Sequence, residues 1–296
     1  MVKSFRTTDR VFDVIIVAVL TLLSLSTLLP LVHIVAESFS DKAAVAGGLV
    51  TFYPRHFTLV AYRAVMSDHA FFRAFLVSVE RVLLGGGLQF AFTILTAYAL
   101  SRPTSEFRSR NAYMWILVFT MIFSGGMIPF YLTIRDLHLL DTMAALVLPT
   151  AVPVFNVVVL MNFFKSLPKE LDEAALIDGA GPWYRMVSLY VPLSLPSIAT
   201  VTLFSVVGHW NAFFDGMLLM NSPDKYPLQT YLNQIIVQAS QPQSHLTPDQ
   251  IKQLSQLSDR TVNSAKILVS LVPILIVYPF LQRYFVTGMT LGSVKE

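Results

Sequence analysis

The sequence predicts an all-α integral membrane protein with six transmembrane helices. The chain of 296 residues is 54% hydrophobic and only 13% charged, whereas soluble domains carry about 25% charged residues. So few charged side chains cannot cover a water-facing surface. Long apolar runs alternate with polar segments, and each run is long enough to cross a hydrocarbon core of about 30 Å as a helix. The net charge of +3 argues against a nucleic-acid partner, and the lack of cysteine removes disulfides, thiolate chemistry and cysteine metal sites.

The apolar runs define the predicted spans within a single domain, 1–296. A cleaved signal peptide is the alternative for the first run, but that run is longer than the apolar core of such peptides. In the second run, Gly85-Gly86-Gly87 lacks the Lys-Ser/Thr that follows a phosphate-binding loop, so we expect it to allow close helix packing. The predicted spans cover residues 11–36, 71–100, 112–134, 142–164, 193–220 and 265–287.

Glycine, proline and polar residues interrupt or separate these runs. Ser124-Gly125-Gly126 interrupts the third span, and Pro153 lies inside the fourth. Residues 37–72 and 221–263 are mixed or polar, and we predict them as external loops. The second of these loops has the composition of an amphipathic helix from Pro248 to Leu257.

The polar segment 165–192, between the fourth and fifth spans, predicts two short helices joined by a turn. Ser166 is expected to cap a helix that runs from Lys169 to Asp178. Gly179 is expected to end this helix, because glycine tolerates the left-handed conformation found there. A second helix is then predicted from Gly181-Pro182 through Val187. The alternative is an ordinary solvated connecting loop.

Basic residues in the short loops predict the orientation of the chain in the membrane. Lysine and arginine are enriched on the cytoplasmic side, and the bias here favours both termini inside, which places segment 165–192 in the cytoplasm. The residues that would then face the cytoplasm are Lys3, Arg6, Arg10, Arg102, Arg108, Arg110, Lys165, Lys169, Arg185, Arg283 and Lys295.

The segment 165–192 resembles the EAA loop of ABC importer permeases. It carries Glu173-Ala174-Ala175, then Gly179 after three residues, then Leu189-Tyr190-Val191-Pro192 after nine more, which is the spacing of that family. Leu and Val stand where Ile and Leu are commoner. Four further stretches resemble the carbohydrate-uptake, maltose-type branch and its oligosaccharide subgroup, which includes permeases for acidic oligosaccharides such as alginate or pectin fragments. They are 123–129, 226–230, 278–285 and 288–295.

The resemblance implies the type I permease fold, in which this loop is a coupling helix that docks in a cleft of an ATP-binding subunit. It implies that the chain is a transport subunit and not an enzyme, and that partner ATPase subunits bind ATP and Mg. The implied partners are a homologous second permease, two ATP-binding subunits, an extracytoplasmic solute-binding protein, an oligosaccharide and membrane lipid. The residues implied in coupling are Glu173, Ala174, Ala175, Asp178 and Gly179.

Polar and aromatic residues within the spans are candidates for a sugar pathway, since polar groups are costly inside a membrane. Asn211 and Asp215 are four residues apart and are predicted to share one helical face. Hydrogen bonding between helices is the alternative role for any one of them. The candidates are Glu80, Arg81, Tyr131, Asn156, Trp210, Asn211, Phe214 and Asp215.

Two other transporter classes compete with the oligosaccharide importer. An ion-coupled secondary transporter would use Glu80 and Asp215 as ion sites, but such proteins usually show internal repeats. An ABC permease for amino acids or metals is disfavoured by the resemblance of the C-terminal stretches. No Walker A, H-E-x-x-H or G-x-S-x-G motif occurs, and the six histidines have no metal-ligand spacing. Arg81 and Arg135, near the predicted outer mouth, suit an acidic oligosaccharide without excluding a neutral one.

Overall fold

The computed structural model describes residues 7–239 and 260–293, and within these residues every regular element is helical. The chain divides into two compact units. The first holds the chain before Ala70 together with Ile235–Leu271, and the second holds Ala70–Gln234 and the chain from Val272. The predicted amphipathic helix from Pro248 to Leu257 lies outside the described residues.

Fourteen helices follow one another along the described chain, in addition to the 3-10 turns Leu148–Thr150 and Pro223–Lys225. We number them in order: α1 Thr7–Ser38, α2 Lys42–Ala46, α3 Val60–Met66, α4 His69–Ser101, α5 Arg110–Ile122, α6 Met127–Asp136, α7 Met143–Val147, α8 Val154–Ser166, α9 Lys169–Ile177, α10 Pro182–Leu193, α11 Leu195–Asn211, α12 Phe214–Leu219, α13 Leu228–Ala239 and α14 Arg260–Ser293.

The helices provide up to six candidate spans, and three of these are bent pairs. The three long candidates are Phe12–Ser38, His69–Ser101 and Arg260–Pro279. The bend between α5 and α6 is 116°, and the bend between α10 and α11 is 85°. A 3-10 turn extends α7 to Thr150, and this extended helix is bent by 42° relative to α8. Glycine explains the sharpest of these bends, because Gly126 has a φ of +88° that favours a residue without a side chain.

The fifth predicted span departs most from the observed helices. We predicted one continuous helix over 193–220, but α11 ends at Asn211 and α12 begins at Phe214. Asn211 and Asp215 therefore do not share a face of one helix, and that prediction is wrong. At the other end of the span, Ser194 separates α10 from α11. The sequence between 211 and 214, Asn-Ala-Phe-Phe, contains neither glycine nor proline that would have signalled the break.

A close approach of α4 and α11 explains one glycine of the Gly85-Gly86-Gly87 run. A Cβ atom on Gly85 would lie 2.5 Å from Cε1 of the buried His209 ring, which is too close for any real contact. A Cβ on Gly86 would only touch Val206, and a Cβ on Gly87 would meet nothing within 4 Å. The predicted helix packing is thus confirmed, and Gly85 is the residue that allows it.

The main apolar core of the second unit lies where α4, α8, α10 and α11 meet. Three aromatic rings pack edge to face in it, with ring centres 5.2 Å apart for Tyr98 and Tyr190 and 5.5 Å apart for Phe164 and Tyr190. Such pairs contribute about 0.5–1.5 kcal/mol beyond the burial of their area. This core fixes the end of α4 to α10. Its buried members are Ile94, Ala97, Tyr98, Leu100, Val157, Leu160, Met161, Phe164, Met186, Tyr190 and Ile198.

Within the first unit, α1 is exposed along most of its length, and polar contacts join the C-terminal end of α1 to α14. The Ser264 hydroxyl donates to the Glu37 carboxylate at 2.8 Å. The Lys266 ammonium lies 2.7 Å from Asp68, with only 6% of its side chain exposed. A buried ammonium needs a paired carboxylate, so this contact fixes the residues around Asp68 to α14.

Candidate functional site

The segment 165–192 forms two short helices, as predicted, with a defined turn between them. At the end of α9 the Gly179 N–H donates to Leu176 and the Ala180 N–H donates to Ala175, which is the Schellman arrangement. Gly179 has a φ of +76°, so the predicted left-handed glycine is confirmed.

Two details of the prediction for this segment are wrong. Ser166 does not cap α9, because it is the last residue of α8 and its hydroxyl donates back to the Phe163 carbonyl at 2.7 Å. The residue that precedes α9 is Pro168, whose side chain can make no cap. The second helix does not end at Val187 but continues to Leu193, with π-helical turns over Arg185–Tyr190.

The residues implied in coupling lie on the surface of α9 and its turn. Glu173, Ala174, Asp178 and Gly179 are exposed, and Ala175 is half-buried. Large exposed apolar side chains lie near them in the sequence, and Ile177 is the most exposed of these, at 87%. Exposed apolar residues on a surface with little side-chain bulk are typical of a binding site for another protein. The other exposed apolar side chains here are Leu171, Leu176, Trp183 and Tyr184.

A charge network that no sequence motif indicates holds α9 in place. Asp172 of α9 accepts a hydrogen bond from Arg102 Nη1 at 2.8 Å. Arg185 Nη1 lies 3.2 Å from each oxygen of the same carboxylate. Arg185 Nη2 also bonds the Glu106 carboxylate at 3.0 Å. Both arginines are buried, so each charge needs its partner.

Two tyrosines of the core enclose the Arg102 guanidinium. Its central carbon lies 4.7 Å from the centre of the Tyr98 ring and 4.3 Å from that of Tyr190. Cation–π contacts of this kind are worth up to about 2 kcal/mol when desolvated. The sequence predicts Arg102 and Arg185 only as basic residues on the cytoplasmic side, because the contacts that define their role join residues far apart in the chain.

The second candidate site lies where α11 ends. Arg81 of α4 makes a two-pronged contact with the Asp215 carboxylate of α12, in which Nη1 lies 3.1 Å from Oδ1 and Nη2 bonds Oδ2. Nη1 also lies 3.4 Å from the Ala212 carbonyl, which is free of helical bonds at the break. Only 2% of the Arg81 side chain is exposed, compared with 25% for Asp215. The Asp215 charge is therefore compensated where it faces solvent.

Asp215 and Phe214 line a cavity of about 490 Å³ that also contains the break between α5 and α6. Phe130 and Phe214 offer aromatic faces to it, while Thr133 and Asp215 offer polar groups. Aromatic faces with a few polar groups suit the apolar faces and hydroxyls of a sugar ring. The remaining lining residues are Ser124, Gly125, Gly126, Met127, Pro129 and Leu218.

The other predicted pathway residues lie away from this cavity. Asn156 is buried, and its amide nitrogen donates to Val201 and to the Ser205 hydroxyl of α11, which is the interhelical bonding we gave as the alternative. Trp210 is buried, with its ring centre 5.6 Å from that of Phe75. Three predicted pathway residues remain. Tyr131 is half-buried beside a second apolar core, and Glu80 and Asn211 are exposed.

Asp141, which no sequence motif marks, closes the turn between α6 and α7 onto the segment after α12. Its carboxylate accepts hydrogen bonds from the Ser222 hydroxyl at 2.7 Å and the Lys225 ammonium at 2.8 Å. It also accepts the backbone N–H groups of Asn221 and Ser222. The bonds from Lys225 and Ser222 hold the pKa of Asp141 well below its ordinary value.

The stretch 226–230, one of the four that resemble the carbohydrate-uptake branch, holds the break at Asn211–Phe214 in place. The Leu228 N–H donates to the Ser78 hydroxyl of α4 at 2.7 Å. The Thr230 hydroxyl donates to the Phe213 carbonyl at 2.9 Å. A Cβ on Gly216 would lie 2.2 Å from that same hydroxyl oxygen, so Gly216 allows α12 to approach Thr230.

Comparison with known families gives one match over nearly the whole chain. Residues 2–291 match the model of the family described as binding-protein-dependent transport system inner membrane component.

Two relatives from Bacillus subtilis (strain 168) align with almost the full length of both chains. A polygalacturonan/rhamnogalacturonan transport system permease protein, YtcP, is 38% identical over 97% of this chain and 99% of its own. Protein LplC is 40% identical over 97% of this chain and 95% of its own.

Two solved structures resemble the fold. One is from a bacterial ABC transporter involved in the import of the acidic polysaccharide alginate, with a TM-score of 0.85, 34% identity and coverage of 96% of this chain and 100% of the other. A chain of the bacterial alginate ABC transporter in complex with an alginate pentasaccharide-bound periplasmic protein has a TM-score of 0.59 at 16% identity, over 94% of this chain and 96% of the other, and supports the fold alone.

Proposed function

This chain belongs to the family of binding-protein-dependent transport system inner membrane components, and from that membership we propose the roles of its two sites and the class of its substrate. It is a membrane-spanning permease subunit of an ABC importer for oligosaccharides, and ATP hydrolysis resides in separate subunits. No observation favours the ion-coupled alternative or the import of amino acids or metals.

The proposed substrate is an acidic oligosaccharide built from uronate units. One observation carries this proposal: the chain is 38% identical, over nearly its whole length, to a permease for polygalacturonan and rhamnogalacturonan. Structural similarity to the importer of another acidic polysaccharide supports it independently. The cavity beside Phe214 and Asp215 is compatible with an anionic sugar, because Arg81 compensates the only carboxylate among its lining residues.

The proposed pathway passes this cavity at the breaks between α5 and α6 and between α11 and α12. Helix breaks at membrane depth are tolerated where they line a wet passage, since the freed backbone groups then find water or substrate. Phe214 and Asp215 are the predicted pathway residues that line the cavity, and Arg81 acts through Asp215. Asn156 and Trp210 are assigned to helix packing instead.

The proposed role of α9 is to receive an ATP-binding subunit. The exposed Ala174, the half-buried Ala175, the left-handed Gly179 and the exposed apolar side chains around them support this role. We assign ATP and Mg to two ATP-binding subunits, one for this chain and one for a homologous second permease, with a solute-binding protein on the outer side. The chain would lie in the cytoplasmic (inner) membrane with both termini in the cytoplasm.

The assembled transporter in proteoliposomes tests the substrate class. The solute-binding protein is first screened by thermal shift against oligogalacturonates, alginate oligosaccharides and neutral oligosaccharides of matched length. The binding protein loaded with an acidic oligosaccharide should then stimulate ATP hydrolysis, and uptake of that sugar should follow. Stimulation by neutral oligosaccharides alone would refute the acidic class, while uptake driven by an ion gradient without ATP would refute the ABC mechanism.

A further inference from the structure

We propose that Asp172, held between Arg102 and Arg185, is a positioning residue that makes α9 move as one body with the end of α4. The inference rests on the proposed docking of an ATPase subunit at α9. It assigns to Asp172 a role separate from docking, because its carboxylate points towards the two arginines while Glu173 and Ala174 are exposed.

Helix α9 lacks the apolar anchor that most surface helices have. None of the residues from Lys169 to Ile177 is buried, although the neighbouring helices α8 and α10 contribute several residues to the core. Burial of apolar area is the usual force that fixes a helix on a protein. For α9 the stabilisation from buried apolar area is small, and the ion pairs of Asp172 with Arg102 and Arg185 fix the helix instead.

The partners of Asp172 belong to parts of the chain that are firmly packed. Arg102 directly follows the last residue of α4 and is enclosed by the rings of Tyr98 and Tyr190. Arg185 lies in α10, with 4% of its side chain exposed, and also bonds Glu106 in the connection between α4 and α5. A displacement of α9 is therefore passed to α4 and α10 through one carboxylate.

The charge balance of the network makes this link stiff. Two buried arginines face two carboxylates, Asp172 and Glu106, so the charges of these four groups balance one another. If α9 moved away alone, Arg102 would lose the one carboxylate that it contacts among the described residues and would stay buried with an unpaired charge. Such a state is strongly disfavoured, so α9 and the two arginines move together.

The neutral variant Asp172→Asn tests the link, with Glu170→Gln as the matched control. Both changes remove one negative charge from the first turn of the same helix, but Glu170 is exposed. In proteoliposomes, Asp172→Asn should raise the ATP hydrolysed per sugar imported about fivefold or more, the lower end of typical coupling between sites. Glu170→Gln and the charge-conserving Asp172→Glu should stay near the wild-type ratio.

A distance measurement in the permease alone keeps the test valid if Asp172→Asn assembles poorly. The chain has no cysteine, so spin labels can be placed at Ser105→Cys and Glu170→Cys without background. Both positions are exposed, one in the connection after α4 and one on α9. The wild-type background should give one narrow distance distribution, and Asp172→Asn should broaden it.

The outcomes separate this inference from the proposed function. An unchanged distance distribution in Asp172→Asn, or a ratio of ATP to sugar equal to that of Glu170→Gln, would refute the positioning role even if the wild-type protein imports an acidic sugar. A broadened distribution and a raised ratio would support it, whichever oligosaccharide is carried. A transporter whose wild-type form hydrolyses no ATP would instead refute the proposed function.

Discussion

The Asp215 carboxylate and the Arg81 guanidinium form a two-pronged ion pair at the point where α11 ends and α12 begins. The pair joins residues 134 positions apart and fixes the broken helix to the middle of α4. The Asp215 side chain is partly exposed on the cavity, and the Arg81 side chain is buried behind it. A passing sugar would therefore meet a carboxylate whose charge is compensated.

Arg81→Gln should impair the import of acidic oligosaccharides more than that of neutral ones. Without the guanidinium, Asp215 becomes an uncompensated anion, and at about 6 Å from a uronate it costs about 2–3 kcal/mol at an effective dielectric constant of about 20. Asp215→Asn should have the opposite effect, because it leaves a net positive charge. Uptake of matched acidic and neutral oligosaccharides measures the difference. Equal changes for both sugars would show that the pair serves folding alone.

Gly85→Ala should destabilise the permease, although alanine normally favours a helix. The new Cβ would lie 2.5 Å from the buried His209 ring, and overpacking of this kind costs about 1–3 kcal/mol. Gly87→Ala is the matched control, since its Cβ would meet nothing within 4 Å. Thermal unfolding in detergent should therefore show a lower Tm for Gly85→Ala only. Recovery in the double variant with His209→Ala would identify the ring as the cause, and equal Tm values for both glycine variants would contradict the packing.

Asp141 should make stability depend on pH below neutrality. Its pKa is lowered by bonds from Lys225 and Ser222, so the ionised form stabilises the fold. That contribution to stability is complete at pH values above the pKa of Asp141 in the unfolded chain, about 3.9. It is lost as the pH falls through the lower pKa of Asp141 in the folded chain.

Asp141→Asn isolates this effect, because asparagine also tolerates the positive φ of this position. At pH 7 it should cost about 1.5–3 kcal/mol, as expected for bonds to a charged group. The difference from wild type should shrink towards pH 2 in thermal unfolding. Asp136→Asn, at an exposed ion pair, should change stability by less than about 1 kcal/mol. A difference at Asp141 that does not change with pH would contradict the assignment.

Local signals were predictable from the sequence, and long-range contacts were not. The turn at Gly179 was predictable because one residue type and its neighbours determine it. Ser166 was misassigned because both α8 and α9 compete for its hydroxyl, and the sequence does not say which helix wins. The break after Asn211 is fixed by Thr230 and by Arg81, which bond backbone carbonyls far away in the chain. The bonds of Asp172 depend on tertiary packing in the same way.

The predicted orientation can be checked on the outer and inner loops. Leu49→Cys, in the predicted outer loop, should react with an impermeant thiol reagent in intact cells. Ser105→Cys, in the predicted cytoplasmic connection after α4, should react only after the membrane is permeabilised. Both positions are exposed, and the chain has no cysteine of its own. The reverse pattern would place α9 outside and would contradict the proposed coupling.

The turn after α9 offers the sharpest test of coupling. Gly179 has a φ of +76°, where a side chain costs about 1–2 kcal/mol. Gly179→Val should therefore alter the direction of the chain between α9 and α10, while Ala175→Trp should block docking by bulk. Neither residue lies in a predicted span, so insertion and pairing with the second permease should survive. Both variants should retain less ATPase subunit during purification and import less sugar.

Gly181→Ala is the control for these variants, because Gly181 has an ordinary φ of −70° and a Cβ there would meet nothing within 4 Å. It should retain the ATPase subunit and import sugar like the wild type. That result would show that docking requires the left-handed conformation of Gly179 in particular. If Gly179→Val and Ala175→Trp also behave like the wild type, then the loop serves only to connect α8 with α10. Loss of ATPase retention in Gly181→Ala as well would mean that the loop tolerates no change, and the conformational argument for Gly179 would fail.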